Sequence, residues 1–327
     1  MTFFGRHIAE APKGIYKLML IVAAIIWGLA FVVMKDALEV VPTAILLSIR
    51  FMATGLILSL VFFRRVKATL NKDHLVRGAI LGVMLFAGFY VQTLGLSFTS
   101  PGKNAFLTAI YVVFVPLIYW LVARKRPSIF NFIAAVICIA GMGLVSLQDS
   151  LAIEFGDLLT IISAFLFAIH IVYVARWSEG RDVLALTVYQ FLAAGICAMV
   201  YGSIFEVWPP VDVLLSPSFL INMGYLVIFA SCICLVFQNL ALTKVSPAQV
   251  SLLLSLEAVF GVIFSVLLYG ESLTLKLIGG FVLIFAAILI SELFPMKKRK
   301  KKREKVQVAS SIELSEPAYQ GSDSLNY

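Results

Sequence analysis

The sequence predicts an all-α integral membrane protein in which ten transmembrane helices form two five-helix inverted repeats. Three observations predict it: 61% of the 327 residues are hydrophobic, these residues fall in long blocks, and the second half of the chain resembles the first. Only 13% of the residues are charged, against roughly 25% in an ordinary soluble domain. This composition excludes a soluble globular fold, a disordered chain, a coiled coil and a disulfide scaffold.

The apolar blocks are long enough to cross a bilayer, whose hydrocarbon core needs roughly 20 apolar residues per helix. The predicted helices cover residues 16–34, 43–63, 76–96, 104–123, 129–147, 157–176, 184–204, 219–241, 249–269 and 275–294. The chain then divides into an N-terminal segment (1–15), a first repeat (16–147), a second repeat (157–294) and a basic tail (295–327). We expect this tail to be disordered.

The distribution of Lys and Arg predicts the orientation, because cytoplasmic loops are enriched in these residues. With the N-terminus inside, the inside segments before the tail hold fourteen Lys and Arg residues. The outside loops hold three other Lys residues and eight acidic residues. Both termini are therefore predicted to be cytoplasmic. The basic run at 297–305 is expected to bind anionic lipid and fix the topology, which makes a nucleic-acid partner a poor interpretation.

The two halves of the chain share a pattern of polar residues, which the general similarity of apolar helices does not explain. Residues 92–101 align with residues 238–247, and extending the match to Leu107 and Leu253 gives six identities in sixteen positions. Chance similarity between apolar helices is the alternative, but the matched Gln and Ser-Pro positions argue against it. Because five spans is an odd number, the second copy must cross in the opposite sense, as in many secondary carriers with a midplane site.

Several short motifs in a fixed order support a family resemblance. They are Trp27-Gly28, Arg50-Phe51, the segments 92–101 and 238–247, Leu256-Glu257 and Tyr269-Gly270-Glu271. Over about residues 15–294 the sequence resembles EamA-type carriers of the drug/metabolite transporter superfamily. The resemblance implies ten helices in two inverted repeats, a central substrate cavity, and transport of amino acids, other metabolites or drugs, commonly outward. Ala258 departs from the family, which often has Pro after the ninth-helix Glu.

Arg50 and Glu257 are the two charges placed well inside the hydrocarbon. Each would cost ~2.5–3.5 kcal/mol at a helix centre, so each is expected to have a partner or a water-filled cavity. They are coupling or ion-pair candidates: a pair across the two halves could break and re-form between states, or Glu257 could take up a proton. A fixed structural ion pair, or Arg50 reaching toward an interface, remains the alternative.

Polar residues in otherwise apolar helices are candidates for lining the cavity. Asn104, Thr108 and Tyr111 form one stripe, and the repeat offset of 146 positions places Glu257 opposite Tyr111. Ser255 belongs to a shorter stripe on the ninth helix. Such stripes are disfavoured against lipid, so they are expected to face inward. Hydrogen bonding between helices without cargo contact is the alternative.

Five further residues are cavity candidates on chemical grounds. His170 and Tyr173 share a helix face, and a histidine there could relay protons or simply pack. Trp27 could stack on cargo or pack between helices. Gln92 and Gln238, related by the repeat, suit a polar or zwitterionic metabolite and equally suit contacts between helices.

These features together predict a secondary transporter in a bacterial cytoplasmic (inner) membrane, working outward by alternating access. No ATP-binding Gly-rich motif occurs in a cytoplasmic loop. A membrane-embedded enzyme or flippase acting on a lipid or lipid-linked intermediate is the alternative, and a passive channel is a third option, but no catalytic cluster is evident. No metal or cofactor is predicted. Gly78 and Gly82 fit either a homodimer face or internal packing.

Overall fold

A computed structural model provides the structure of the chain. It describes residues 12–124, 129–146, 154–276, 278–283, 285–287 and 289–290. Within these ranges the regular structure is helical and no strand is present. Residues 1–11 of the predicted N-terminal segment and the whole predicted tail, 295–327, lie outside the described residues.

The helices follow one another with short connections. In chain order they are α1 (Lys13–Leu38), α2 (Thr43–Val61), α3 (Phe63–Ala68), α4 (Lys72–Ser97), α5 (Pro101–Thr108), α6 (Tyr111–Ala123), α7 (Ile129–Ser146), α8 (Phe155–Trp177), α9 (Val183–Phe205), α10 (Val211–Leu214), α11 (Pro217–Tyr225), a π-helix π1 (Leu226–Ile233), α12 (Cys234–Leu242), α13 (Pro247–Leu254), α14 (Leu256–Phe264) and a second π-helix π2 (Ser265–Tyr269). A last helix, α15, covers Ile278–Ala287.

Eight helices of the described chain are long and apolar enough to cross a membrane. Five of them are single helices (α1, α2, α4, α8 and α9), and three are composites (α5–α6, α11–π1–α12 and α13–α14–π2). The predicted ten spans exceed this number by two. Two further apolar helices, α7 and the ten-residue α15, lie where the fifth and tenth spans are predicted.

Ion pairs and hydrogen bonds connect several helix ends on one side of the bundle, which we call the acidic end. There, Lys35 Nζ at the end of α1 donates to the carbonyl oxygens of Leu96 (2.7 Å), in the last turn of α4, and of Thr99 (3.0 Å), just after α4. Lys103 Nζ near the start of α5 lies 2.6 Å from Glu154 and 2.9 Å from the buried Asp157, at the start of α8. The acidic end therefore holds the ends of α1 and α4 and the starts of α5 and α8.

The opposite helix ends meet at what we call the basic end. Arg65 of α3 pairs with Asp182 (2.7 Å), which precedes α9, and Arg181 pairs with Asp73 of α4 (2.5 Å). The Tyr189 hydroxyl of α9 donates to the Val66 carbonyl of α3 (2.9 Å). Successive long helices therefore run alternately between the two ends, as a chain that crosses a membrane repeatedly requires.

Small residues allow the helices to approach closely. The most extensive packing joins α9 to α2 and α4, and α4 to α8. Gly82 of α4 faces α9, where an added Cβ would lie 2.5 Å from the Cβ of Ala193, and Gly78 faces Tyr189 on the same helix. Gly78 and Gly82 therefore serve internal packing, the second of the two roles that their spacing allows.

A second group of helices packs around α14, which contacts α1 and α5. A Cβ added to Gly28 of α1 would lie 2.5 Å from that of Phe260, and one added to Gly261 would collide with Ala105 of α5. These contacts leave no room for larger side chains where the three helices cross. The crossing fixes the position of α14, which carries Glu257.

Candidate substrate cavity

Two helices of the bundle begin with the same Ser-Pro step. Ser100 caps α5, its Oγ accepting from the Lys103 amide (3.3 Å), and Pro101 occupies the first helical turn. Ser246 caps α13 in the same way, accepting from the Gln249 amide (3.4 Å), with Pro247 following it. Proline is tolerated in the first turn because its missing N–H would have no partner within the helix there. The two Ser-Pro steps of the repeated segment therefore both open helices.

Both helices are interrupted near their middle. The first breaks between Thr108 and Tyr111, and the second breaks at Ser255. The repeat offset of 146 positions relates Ala109 to Ser255, so the two breaks lie at corresponding places. Interrupted helices at the midplane are the usual frame of a binding site in secondary carriers, because their backbone ends can face a cavity.

A cavity with about 670 Å³ of empty space lies beside both breaks. Eight of the predicted site residues line it: Trp27, Arg50, Gln92, Thr108, Tyr111, His170, Gln238 and Glu257. The rest of the wall is mostly apolar, formed by Ala30, Phe31, Met34, Leu85, Phe89, Leu96, Phe167, Ile171 and Leu235, with Thr93 as a further polar group. An apolar wall with a few convergent polar groups is typical of small-molecule sites.

Arg50 is buried in this wall, with 2% of its surface exposed. Its Nε donates to Ser231 Oγ (2.7 Å), and its guanidinium carbon lies 4.9 Å from the ring centroid of Phe89 and 5.6 Å from that of Phe51. Aromatic faces attract a cation, so these rings and the hydroxyl group offset part of the cost of burying the charge. No acid supplies the counter-charge among the described residues.

The π-helix π1 holds the partner of Arg50 in place. Ser231 lies within it, and Trp27 Nε1 donates to the carbonyl of the preceding residue, Ala230 (2.7 Å). A π-helical turn widens the backbone ladder, and such turns are rare and frequent at functional sites. The indole of Trp27 therefore fixes π1 against α1 while also lining the cavity.

Glu257 lies near the start of α14 and exposes only 4% of its surface. The Tyr111 hydroxyl, at the start of α6, lies beside its carboxylate. Within the described residues that hydroxyl completes no hydrogen bond, although Tyr111 is 97% buried. The Tyr111 hydroxyl and the Glu257 carboxylate, which has no ion pair among the described residues, face the same space, so a ligand in the cavity could contact both.

The structure does not pair Arg50 with Glu257. Both line one cavity, yet neither takes part in any of the ion pairs that the described residues form. The physical reason is that Arg50 turns to Ser231 and two aromatic rings. In this conformation the predicted ion pair across the two halves is absent, and two opposite charges stand apart on the wall.

Neutral polar groups complete the wall. Gln92 Nε2 donates to Thr108 Oγ1 (3.0 Å), so a residue of the repeated segment contacts the stripe predicted on the fourth span. His170 Nε2 lies 3.0 Å from Gln190 Oε1. Gln238, the repeat partner of Gln92, is buried at the wall.

Three predicted residues are not part of this wall. Asn104 is fully buried and donates to Thr160 Oγ1 (2.7 Å), which joins α5 to α8. Tyr173 packs edge-on against Trp177, with ring centroids 5.0 Å apart, one turn along α8. Ser255 donates to the Leu252 carbonyl (2.7 Å) at the break before α14. Asn104 and Tyr173 each share a helix with a lining residue, and Ser255 lies at the break two residues before Glu257. All three side chains nevertheless contact neighbours outside the cavity wall.

Sequence reasoning missed the residues that support the site. Ser231, Gln190 and the aromatic rings of Phe31, Phe89 and Phe167 were not singled out, although all lie on or behind the wall. Ser231 offered a weak signal, as a hydroxyl amid the apolar run 226–237. The phenylalanines offered none, because an apolar side chain facing a cavity looks the same in sequence as one facing lipid.

Comparisons with known proteins agree with this architecture. A family model described as the EamA-like transporter family matches residues 14–147 and, again, residues 154–293. A solved crystal structure that is 15% identical superimposes with a TM-score of 0.66, covering 88% of this chain and 99% of the other. At that identity the likeness shows the fold alone.

Curated relatives cover most of the chain. An uncharacterized transporter of Archaeoglobus fulgidus is 28% identical over 289 residues, 86% of this chain and 88% of the relative. The uncharacterized inner membrane transporter YedA of Escherichia coli is 26% identical over 282 residues, 84% of this chain and 90% of YedA. The S-adenosylmethionine/S-adenosylhomocysteine transporter of Chlamydia muridarum is 25% identical over 303 residues, 86% and 93% of the two chains.

The apolar helices, the midway cavity and these relatives define a multi-pass membrane transporter of small molecules. The chain belongs to the EamA-like transporter family, whose model matches it over both halves. The family resemblance predicted from the sequence motifs is confirmed.

Proposed function

We propose that this protein is a secondary carrier that moves small metabolites, amino acids or related compounds and drugs among them, by alternating access. The observation that carries the proposal is the cavity wall, where Arg50 and Glu257 stand unpaired beside two interrupted helices. A buried charge without a counter-charge is costly in a membrane protein and marks a substrate or ion pathway. The transporter is therefore proposed to bind its cargo between these two charges.

The proposed mechanism uses ten spans as two inverted five-helix repeats. The helix α5–α6 runs from the acidic end to the basic end, and its counterpart α13–α14 runs in the opposite direction. Tyr111 and Glu257 follow the two corresponding breaks. Two halves of opposite sense can rock about a shared site and expose it to one side at a time.

The charges suggest the class of cargo. A zwitterion offers a carboxylate for Arg50 and an ammonium group for Glu257, and the aromatic wall accommodates an apolar body. The relative from Chlamydia muridarum is named for S-adenosylmethionine and S-adenosylhomocysteine, both of which contain an amino-acid group. Taking up a proton at Glu257 in place of the cargo would couple transport to a proton gradient.

Orientation and surroundings follow from the charge pattern. We propose that the basic end and both termini lie inside a bacterial cytoplasmic membrane. Outward transport is proposed from the family resemblance, and a role without enzymatic activity from the lack of a catalytic motif in the sequence. The run at 297–305 would bind anionic lipid. A homodimer remains an option for faces other than the one that Gly78 and Gly82 bury.

Counterflow in proteoliposomes tests the proposal. Vesicles loaded with a candidate zwitterion should take up labelled zwitterion from outside, saturably, and Glu257→Gln should slow this exchange at least tenfold. Glu39→Gln is the matched control, because Glu39 is exposed and belongs to the wall of neither described cavity. Equal exchange by the wild type and Glu257→Gln would remove the role assigned to Glu257. Absence of saturable exchange across a metabolite panel would refute the carrier.

A further inference from the structure

Glu271 joins the end of one interrupted helix to the start of the other. It follows π2, after Gly270 turns the chain in the left-handed conformation (φ 72°). Its carboxylate accepts hydrogen bonds from Ser100 Oγ, from the Gly102 amide (3.0 Å) and from Ser265 Oγ. A carboxylate is stabilised at a helix N-terminus by the free amides and the helix dipole, so Glu271 holds the first turn of α5.

A glycine next to the Glu271 carboxylate leaves room for this contact. A Cβ added to Gly102 would collide with Glu271 Oε2, so glycine is required for the carboxylate to reach the amide. Gly261 of α14 presses against Ala105 of α5 just below. Polar contacts and close packing therefore seal the acidic end between α5 and the end of the α13–α14 helix.

At the corresponding place of the basic end, the described residues border a cavity. A second cavity, with about 1280 Å³ of empty space, lies there among the ends of α6, α8 and α12 and the start of α13. Its wall includes Tyr119, Arg124, Arg176, Thr243 and Pro247. Pro247 is the repeat counterpart of Pro101, whose helix start is the one that Glu271 holds at the other end.

The sequence explains why the two ends differ. The repeat offset relates Gly270 to Arg124, and both adopt the left-handed conformation (φ 72° and 53°). The same offset relates Glu271 to Lys125, which lies outside the described residues and has the opposite charge. A cation is repelled by the positive end of a helix that attracts a carboxylate. The acidic end thus has a carboxylate at a position of the repeat where the first half of the sequence has a lysine.

We infer that Glu271 is the latch of the gate at the acidic end, and that it biases the empty carrier toward a state open at the basic end. This inference rests on the proposed alternating access. Opening the acidic end must break the two hydrogen bonds that join α5 to this carboxylate, from Ser100 Oγ and the Gly102 amide, while the bond from Ser265 stays within its own segment. Hydrogen bonds to charged groups are the stronger ones. Glu271 acts on the exchange between states and touches no cargo.

Thiol labelling in the full-length protein tests the latch without knowledge of the cargo. The reporter is Met34→Cys, because Met34 lines the central cavity on the half of α1 nearer the acidic end. An impermeant maleimide is applied to right-side-out and to inside-out vesicles, with the protein lacking the reporter as background. Adding Glu271→Gln should raise the labelling rate from the acidic face by about tenfold and lower the rate from the basic face.

The matched control is Glu206→Gln. Glu206 also holds a helix start at the acidic end, accepting from the Ala44 and Ile45 amides of α2 (2.9 Å each), but it joins α9 to α2 in the other helix group. Its loss should leave both labelling rates unchanged. Equal labelling changes in the two variants, or none in Glu271→Gln, would overturn the latch. Counterflow measured in parallel separates the two proposals. If the protein exchanges substrate but Glu271→Gln leaves the labelling rates unaltered, the latch alone is refuted. If Glu271→Gln alters the labelling rates but the protein shows no exchange, the carrier is refuted.

Discussion

Tyr111 and Glu257 occupy equivalent positions in the two halves of the chain and meet at one cavity. Each follows the break in an interrupted helix, 146 residues apart in sequence, and the tyrosine hydroxyl lies beside the carboxylate. Both side chains are almost fully buried, and the hydroxyl completes no hydrogen bond within the described residues. The pair therefore presents a hydroxyl group and a carboxyl group to whatever occupies the cavity.

Removing the Tyr111 hydroxyl should affect transport and leave stability unchanged. Because this hydroxyl lies beside the Glu257 carboxylate but completes no hydrogen bond within the described residues, Tyr111→Phe is expected to change the unfolding free energy by less than about 0.5 kcal/mol. The concentration for half-maximal counterflow should rise several-fold, because a ligand contact is lost. Thermal unfolding in detergent and counterflow in vesicles measure the two effects.

The control for this variant is Tyr189→Phe. The Tyr189 hydroxyl donates to the Val66 carbonyl at the basic end, so its loss should lower stability while counterflow keeps its half-saturation concentration. A Tyr111→Phe protein with normal counterflow and lowered stability would show that the hydroxyl is structural.

Ser231 is expected to hold Arg50 in its orientation. Ser231→Ala removes the acceptor of the Arg50 Nε–H (2.7 Å), and should lower the unfolding free energy by about 1 kcal/mol, as for hydrogen bonds between membrane helices. Counterflow should weaken as the guanidinium loses its position. Arg50→Lys should weaken it further, because lysine keeps the charge and loses the planar fork of donors.

A serine that bonds only within its own helix provides the comparison. Ser59 Oγ donates to the Gly55 carbonyl of α2 (2.6 Å), and Ser59→Ala should leave counterflow unchanged. If Ser231→Ala also left counterflow and stability unchanged, Ser231 would have no positioning role.

Close packing of α1 on α14 should be sensitive to one methyl group. Gly28→Ala places a Cβ 2.5 Å from that of Phe260 and 2.9 Å from the Gly261 amide nitrogen, so the helices must separate, at a cost of roughly 1–3 kcal/mol. Gly224→Ala is the control, since nothing lies within 4 Å of its added Cβ. Thermal unfolding should separate the two variants, and equal melting temperatures would contradict the close crossing.

Much of the bundle follows from composition and periodicity. Five predicted spans agree within a few residues with the single helices α1, α2, α4, α8 and α9. The agreement is close because a long apolar block bounded by charged residues can form few structures other than a spanning helix. The breaks in α5–α6 and α13–α14 and the two π-helices were not predicted. Such features depend on contacts between helices, like the hydrogen bond from Trp27 to Ala230, which local sequence does not encode.

The site was predictable where polarity is anomalous. Arg50, Glu257 and Tyr111 stand out because lipid-exposed polar groups are disfavoured, and all three line the cavity. For Asn104 the structure shows the alternative that the pattern left open, a hydrogen bond between helices, since this buried residue joins α5 to α8. Polarity in the sequence also could not predict that the Arg50 guanidinium bonds to Ser231 and not to Glu257, since the partner depends on side-chain geometry.

Access to the central cavity from both faces of the membrane tests alternating access most directly. Ala30→Cys places a thiol on the cavity wall with little change in size. In vesicles of each orientation, an impermeant maleimide should label it from either face, and a transported substrate should protect it from both. Labelling from one face alone, unaltered by any substrate that exchanges in counterflow, would contradict a carrier with a single site exposed in turn to each side.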